Sequence, residues 1–148
     1  MVEINKILKS EFIDLNLTSE NKNDAILELS KKFLSNGVIN DLDEYIKVVH
    51  KREAESTTGI GFGIGIPHGK SNVVNYTSLA FGRSEKGIAY DSLDGKPVHL
   101  LFLIGVPEDS NDDHLKILSK LSRKLMHEEI RENLMNAENT NEIYNILN

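Results

Sequence analysis

The chain has 148 residues, a common size for one domain and enough to bury most of its apolar surface without disulfides or metals. A hydrophobic share of 39%, which leaves out the 10 glycines, excludes a disordered chain, and the lack of cysteine excludes disulfides, thiolate nucleophiles and thiolate metal sites. The formal charge of −6 argues against nucleic acid and anionic lipid, whose phosphates need clustered Lys and Arg, and suits a basic or neutral protein partner better.

The amino terminus, MVEINKILKSE, lacks the long apolar stretch of a secretory signal. Phe12 to Leu17 (FIDLNL) alternates apolar and polar residues and predicts a half-buried strand. Thr18 or Ser19 can cap a following helix on which Ala25, Ile26, Leu29 and Phe33 share one face, with Gly37 as its left-handed terminus. A second helix is expected from Asp41 and Asp43 to near Glu55, burying Tyr45, Ile46 and Val49, with Arg52 in its last turn. A cation there complements the helix dipole without any ligand, so Arg52 carries a structural reading beside a functional one.

The stretch GIGFGIGIPHGKS alternates Ile60, Phe62, Ile64 and Ile66 with four glycines, which predicts a strand with one bare face. Glycine weakens a strand, so something must approach this backbone closely, either the rest of the fold or a docked partner. Thr77 to Arg83 and Val98 to Val106 read as further strands, with a turn at Asp94-Gly95 between them. The apolar run from Leu100 to Val106 suits a central strand buried on both faces, and falls short of the ~20 residues of a membrane helix, so no direct membrane insertion and a cytoplasmic setting are expected. Ser110 or Asn111 opens a helix carrying Leu115, Leu118, Leu121 and Leu125, and Glu128 to Met135 and Asn141 to Leu147 close the chain as shorter helices. The result is a single α/β domain over residues 1–148, a mixed β-sheet with helices on both faces.

Of five histidines, His50 and His127 sit in charged helical contexts and are expected to be exposed, and His99 flanks a turn. His68 differs in its address: it follows a strand, between Pro67, which fixes the backbone, and Gly69, which leaves the flank uncrowded. Neutral imidazole is a good nucleophile near pH 7 and accepts a phosphoryl group as a labile N–P adduct. His114 starts the next amphipathic helix, where free backbone N–H groups favour an anion; it either contacts phosphate or helps to cap its own helix. The string Gly65 to Ser71 misses the phosphate-binding GxxxxGK[ST] loop by one residue, and no helical pattern follows it. The glycines at 59, 61, 63 and 65 also miss GxGxxG, and no tight ligand pair supports zinc at His68 and His114.

The run REAESTTGIGFGIGIPHGKS resembles the active-site region of the enzyme IIA domains of the bacterial phosphotransferase system, of the fructose and mannitol type. YDSLDGKPVHLLFLIGVPEDSNDDHLKILSKLSRKL is similar to the same family's second half, nearest to its fructose members. One departure is Gly65, where the family more often has alanine. The resemblance implies that His68 is the phosphorylated histidine, Arg52 the phosphate-site arginine and His114 the second active-site histidine. It implies the phosphocarrier protein HPr as donor, a cysteine of a IIB component as acceptor during sugar uptake, and no metal or other cofactor. Because this sequence has no such cysteine, the IIB and membrane components are expected as separate polypeptides. A regulatory, nitrogen-related IIA is the alternative within the same resemblance. The bare glycines and Ile66 are expected to let a partner close over His68 and exclude water.

Overall fold

The computed structural model describes residues 3–148, so residues 1 and 2 of the expected domain lie outside the described residues. A single turn, α1 (Ile4–Ile7), leads into strand β1 (Leu8–Asp14), and helices α2 (Lys22–Ser35) and α3 (Leu42–Glu55) follow. Three short strands, β2 (Gly59–Gly61), β3 (Ile64–Gly65) and β4 (His68–Ser71), precede the long strands β5 (Ser78–Ile88) and β6 (Val98–Pro107). Helices α4 (Asp113–Leu125), α5 (Glu128–Asn136) and α6 (Thr140–Leu147) complete the chain.

The six strands form one mixed sheet in the order β1-β5-β6-β3-β2, with β4 also paired to β6. β6 runs antiparallel to β5 and parallel to both β3 and β4, which lie end to end along its other edge. Its composition makes it central: Leu100 to Val106 are all buried, and alternate side chains enter different layers. Leu100, Phe102, Ile104 and Val106 face the layer of Ile117, Leu121, Leu125 and Ile143 from the carboxy-terminal helices. Leu101 and Leu103 face Ile26, Leu29, Phe33, Tyr45 and Val49 of α2 and α3. The expected α/β fold with helices on both faces is therefore the observed one. Emptying one large position, as in Phe102→Ala, removes about 3–5 kcal/mol.

Local chemistry sets the element ends, not always where the sequence pattern puts them. β1 starts at Leu8 and ends at Asp14, so the FIDLNL alternation marks its second half and the turn beyond it. Thr18 and Ser19 do not cap α2; their amides and hydroxyls donate to the Glu28 carboxylate, and Asn21 is the N-cap, accepting from the Asp24 amide at 2.9 Å. Asp41 caps α3 through the Glu44 amide, and Gly37 ends α2 with φ +74° as expected.

Two corrections bear on the site. The glycine-rich stretch is not one strand: Phe62 and Gly63, at φ +58° and +77°, form the two-residue turn of a hairpin joining β2 to β3. On α4 the buried residues are Ile117, Leu121 and Leu125, while Leu115 is 54% exposed. The inward face thus runs through positions 114, 117, 118 and 121, which turns His114 toward the sheet.

Candidate functional site

His68 opens β4 opposite Ile104 of β6, in the parallel register that also sets Gly69 against Gly105. The Ile104 amide donates to the Pro67 carbonyl at 3.1 Å, so the residue before His68 is fixed to the central strand. His68 Nδ1 lies 3.0 Å from the Ile66 carbonyl oxygen. A carbonyl only accepts, so in this contact Nδ1 carries the proton and the neutral ring keeps its lone pair on Nε2. Burial does most to hold the His68 pKa below the ordinary histidine value; the Ile66 hydrogen bond pushes it up, Arg52 and His114 push it down, and Glu53 pushes it up. The net direction favours the neutral, nucleophilic ring.

His114 stands opposite, its ring stacked on that of His68 with centroids 6.2 Å apart and planes 28° apart. It occupies the first turn of α4, where the Asp112 side chain makes no cap hydrogen bond. His114 does not cap the helix either, since its Nδ1 is buried without a partner. A proton on that nitrogen would be a buried unsatisfied donor, which favours the tautomer with N–H at Nε2.

Arg52, in the last turn of α3, lines the same cavity of about 370 Å³ as His68, Lys70 and His114. Its Nη1 donates to the Ser56 carbonyl at 2.8 Å, so one guanidinium donor closes the helix end. Four of its five N–H groups are left over from that role. The three residues singled out from the sequence therefore meet in one cavity, walled also by Val48, Leu115 and Leu118. Gly69 lets α3 come this close: a Cβ there would sit 3.0 Å from Val49 Cγ2 and 3.1 Å from Tyr45 Cε1.

The other histidines divide differently. His127 is exposed as expected, whereas His50 is half-buried with its Nε2 enclosed and unpartnered, because its helix lies between α2 and the sheet edge. His99 is tied through Nδ1 to the Ser84 carbonyl at 2.8 Å, at the far end of β6.

The bare glycine face is filled from within and is not left for a partner. A Cβ at Gly59 would meet Tyr90 Cδ1 at 2.9 Å, and one at Gly65 would meet Tyr90 Cζ at 3.0 Å. Ile66 is only 2% exposed, so neither it nor these glycines offers the surface on which a partner was expected to close over His68. The Gly65 to Ser71 string runs through β3 and β4 and on to β5, with no helix to meet a nucleotide phosphate.

One residue at the site escaped sequence reasoning. The Glu53 carboxylate, beside Arg52, accepts from the Thr58 amide at 3.3 Å, the Thr58 hydroxyl, the Tyr90 hydroxyl at 3.4 Å and Lys22 Nζ at 3.0 Å. The only signal for it was its place next to Arg52 in the motif, since partners 31 and 37 positions away leave no local pattern.

Comparison with known proteins identifies the family of the chain. The model of the family described as "Phosphoenolpyruvate-dependent sugar phosphotransferase system, EIIA 2" matches residues 6–148. The chain is 43% identical over 147 residues to the PTS system fructose-specific EIIA component of Haloferax volcanii, covering 99% of this chain and 96% of that protein. It is also 43% identical to the PTS system fructose-specific EIIABC component of Bacillus subtilis, again over 99% of this chain, but spans only 23% of that longer relative. Among solved structures, the nitrogen regulatory protein IIA-Ntr from Neisseria meningitidis superposes with a TM-score of 0.91 at 32% identity, covering 98% of this chain and 99% of that one. Among the described residues, no helix is long and apolar enough to cross a membrane. With a family model matched over residues 6–148 and a fructose-specific EIIA relative 43% identical along nearly its whole length, the chain is a member of the EIIA type-2 family of the phosphoenolpyruvate-dependent sugar phosphotransferase system.

Proposed function

We propose that the chain, as one enzyme IIA domain over residues 1–148, is a cytoplasmic phosphocarrier that takes a phosphoryl group from HPr onto His68 and passes it to a IIB component for fructose-type sugar uptake. The observation that carries this reading is the Nδ1 contact to Ile66, which leaves the Nε2 lone pair as the nucleophile beside Arg52 and His114. As the Nε2–P bond forms, the bond from phosphorus to the donor's nitrogen breaks and its electron pair leaves with the donor imidazole. The transition state is loose, so positioning and charge stabilisation are the protein's task. Arg52 supplies charge to the equatorial oxygens, and an Nε2–H of His114 donates to one of them. Val48, Leu115 and Leu118 form the apolar rim that a docked partner covers, excluding the water that hydrolyses the adduct. The chemistry asks for no metal. The fructose assignment draws on the 43% identity to fructose-specific relatives.

The test is incubation with phosphoenolpyruvate, enzyme I and HPr. One acid-labile, base-stable phosphate per chain is expected, and none in a folded His68→Gln variant. Undiminished label in that variant ends the reading. The structural likeness to a nitrogen regulatory IIA supports a second reading, in which the same phosphohistidine controls partner binding and feeds no sugar. Transfer from the labelled protein to a fructose-type IIB separates the two.

A further inference from the structure

Arg52 and His68 come from separate elements, α3 and β4, and a buried hydrogen-bond network joins them. The Glu53 side chain is 6% exposed and is bonded on both carboxylate oxygens, to residues of α2 (Lys22), the β2 approach (Thr58) and the segment after β5 (Tyr90). Thr58 and Tyr90 are 5% and 1% exposed, and their hydroxyls lie 2.9 Å apart. The Tyr90 ring fills the bare side of Gly59 and Gly65, and Lys22 Nζ lies 4.7 Å from the ring centroid. From this cluster a short path of hydrogen bonds reaches the nucleophile. The Thr58 carbonyl accepts from the Ile66 amide at 3.1 Å, and the Ile66 carbonyl accepts from His68 Nδ1 at 3.0 Å. Glu53 is also the helical residue next to Arg52, so the same anchor fixes the last turn of α3.

We propose that Glu53 is a positioning residue: its buried carboxylate holds Thr58 and so the Ile66 carbonyl that selects the Nδ1–H tautomer of His68, while pinning the helix turn that carries Arg52. The inference rests on His68 as the phosphoryl acceptor, but the tautomer it predicts exists before any donor arrives. A buried charged acceptor with four donors is costly to leave half-satisfied, so the network has one low-energy arrangement, and the Ile66 carbonyl inherits its position. Misplacing a reacting group by an ångström costs up to roughly a hundredfold in rate. Glu53→Gln keeps the shape and one acceptor oxygen, but it turns one end of the carboxylate into a donor facing Lys22.

The experiment reads the His68 ring nitrogens by long-range proton–nitrogen NMR in the wild type, Glu53→Gln and Glu53→Ala, with amide spectra reporting the fold. Phosphoryl transfer from phosphorylated HPr is timed on the same samples. The wild type is expected to show proton at Nδ1 and lone pair at Nε2. Glu53→Ala is expected to mix the two tautomers and slow transfer roughly ten- to a hundredfold, with Glu53→Gln between. A folded Glu53→Ala with the wild-type tautomer overturns the proposal, whatever its rate. If Glu53→Ala does not fold, Glu53→Gln decides alone: mixed tautomers with slowed transfer support the proposal, and wild-type values in either measurement overturn it. A wild type that takes no phosphate yet shows the tautomer change in the variants would break the phosphocarrier reading and leave Glu53 as the residue that orients His68.

Discussion

The two ends of strand β6 carry two cavities, and the larger is not the one to which we assign the chemistry. Near its start, Phe62, Leu100, Arg131 and Met135 line a space of about 530 Å³; near its end, Arg52, His68 and His114 line one of about 370 Å³. At the first, one cation, Arg131, faces two carboxylates, Glu128 and Glu132. Arg131 donates to the Leu125 carbonyl at 2.7 Å and lies 4.5 Å from the Phe62 ring centroid, and His99 is bonded to Ser84. At the second, one nitrogen of His68 is bonded and the other is free, His114 has no partner at Nδ1, and Arg52 has used one donor. The excess of Lys51, Arg52 and Lys70 over Glu55 around a neutral imidazole, not volume, distinguishes a place where an anion can be received.

Paired substitutions at the two ends break or sharpen this contrast. The largest effect is expected at the histidines: His68→Gln abolishes labelling from phosphoenolpyruvate through enzyme I and HPr, while His99→Gln labels fully. Equal labelling of both variants would erase the difference between the ends. The arginines come next. Arg52→Ala loses a charge-assisted contact to phosphate worth ~1.5–3 kcal/mol, which slows transfer by about one to two powers of ten, while the exposed bond to Ser56 that goes with it costs about 1 kcal/mol of stability or less. Arg131→Ala is expected to do the reverse, keeping the transfer rate and losing about 1–3 kcal/mol of stability in denaturant titration.

The next contrast is one of pH. Held below the ordinary 6.5, His68 binds fewer protons in the folded chain than in the unfolded one. Its contribution to stability is therefore complete above that value and is lost as pH falls through it toward the folded pKa. Calorimetry across this window is expected to show the wild-type midpoint falling more steeply with acid than that of His68→Gln. Parallel curves would mean that burial does not disfavour the charged ring. The smallest effect belongs to the hairpin tip. Gly63→Ala places a side chain at φ +77° and costs about 1 kcal/mol in a denaturant melt, with no change in transfer.

What the sequence revealed of the site follows from how local each signal is. The Pro67-His68-Gly69 address, Arg52 in a final helical turn and His114 in a first one are each written within a few residues, and the fold brings all three together. The α2 and α3 faces and the two-sided burial of β6 were legible for the same reason. The hairpin inside the glycine-rich stretch was not, because a two-residue turn preserves the alternation of glycine and apolar residues. Its first turn position is Phe62, where the usual signal would be Asn or Asp. The α4 face was misread at Leu115 because four leucines spaced by three and four fit two neighbouring stripes, and only contact with the sheet chooses the one through Ile117. Glu53 is the extreme case: its meaning depends on Lys22 and Tyr90, and nothing near it in the chain announces either.

Gly69 gives the site an adjustable dimension. Helix α3 rests on β4 across a gap that one methyl group would overfill, with Val49 and Tyr45 as the contacting surfaces. The separation between the guanidinium of Arg52 and the ring of His68 is thus gauged by a missing carbon atom. Alanine at position 69 is expected to act as a shim, pressing Val49 and Tyr45 back by a few tenths of an ångström and carrying the helix of Arg52 with them. Smaller residues at Val49 are then expected to let the helix settle back, so the reach of the arginine is set by how closely α3 packs on β4.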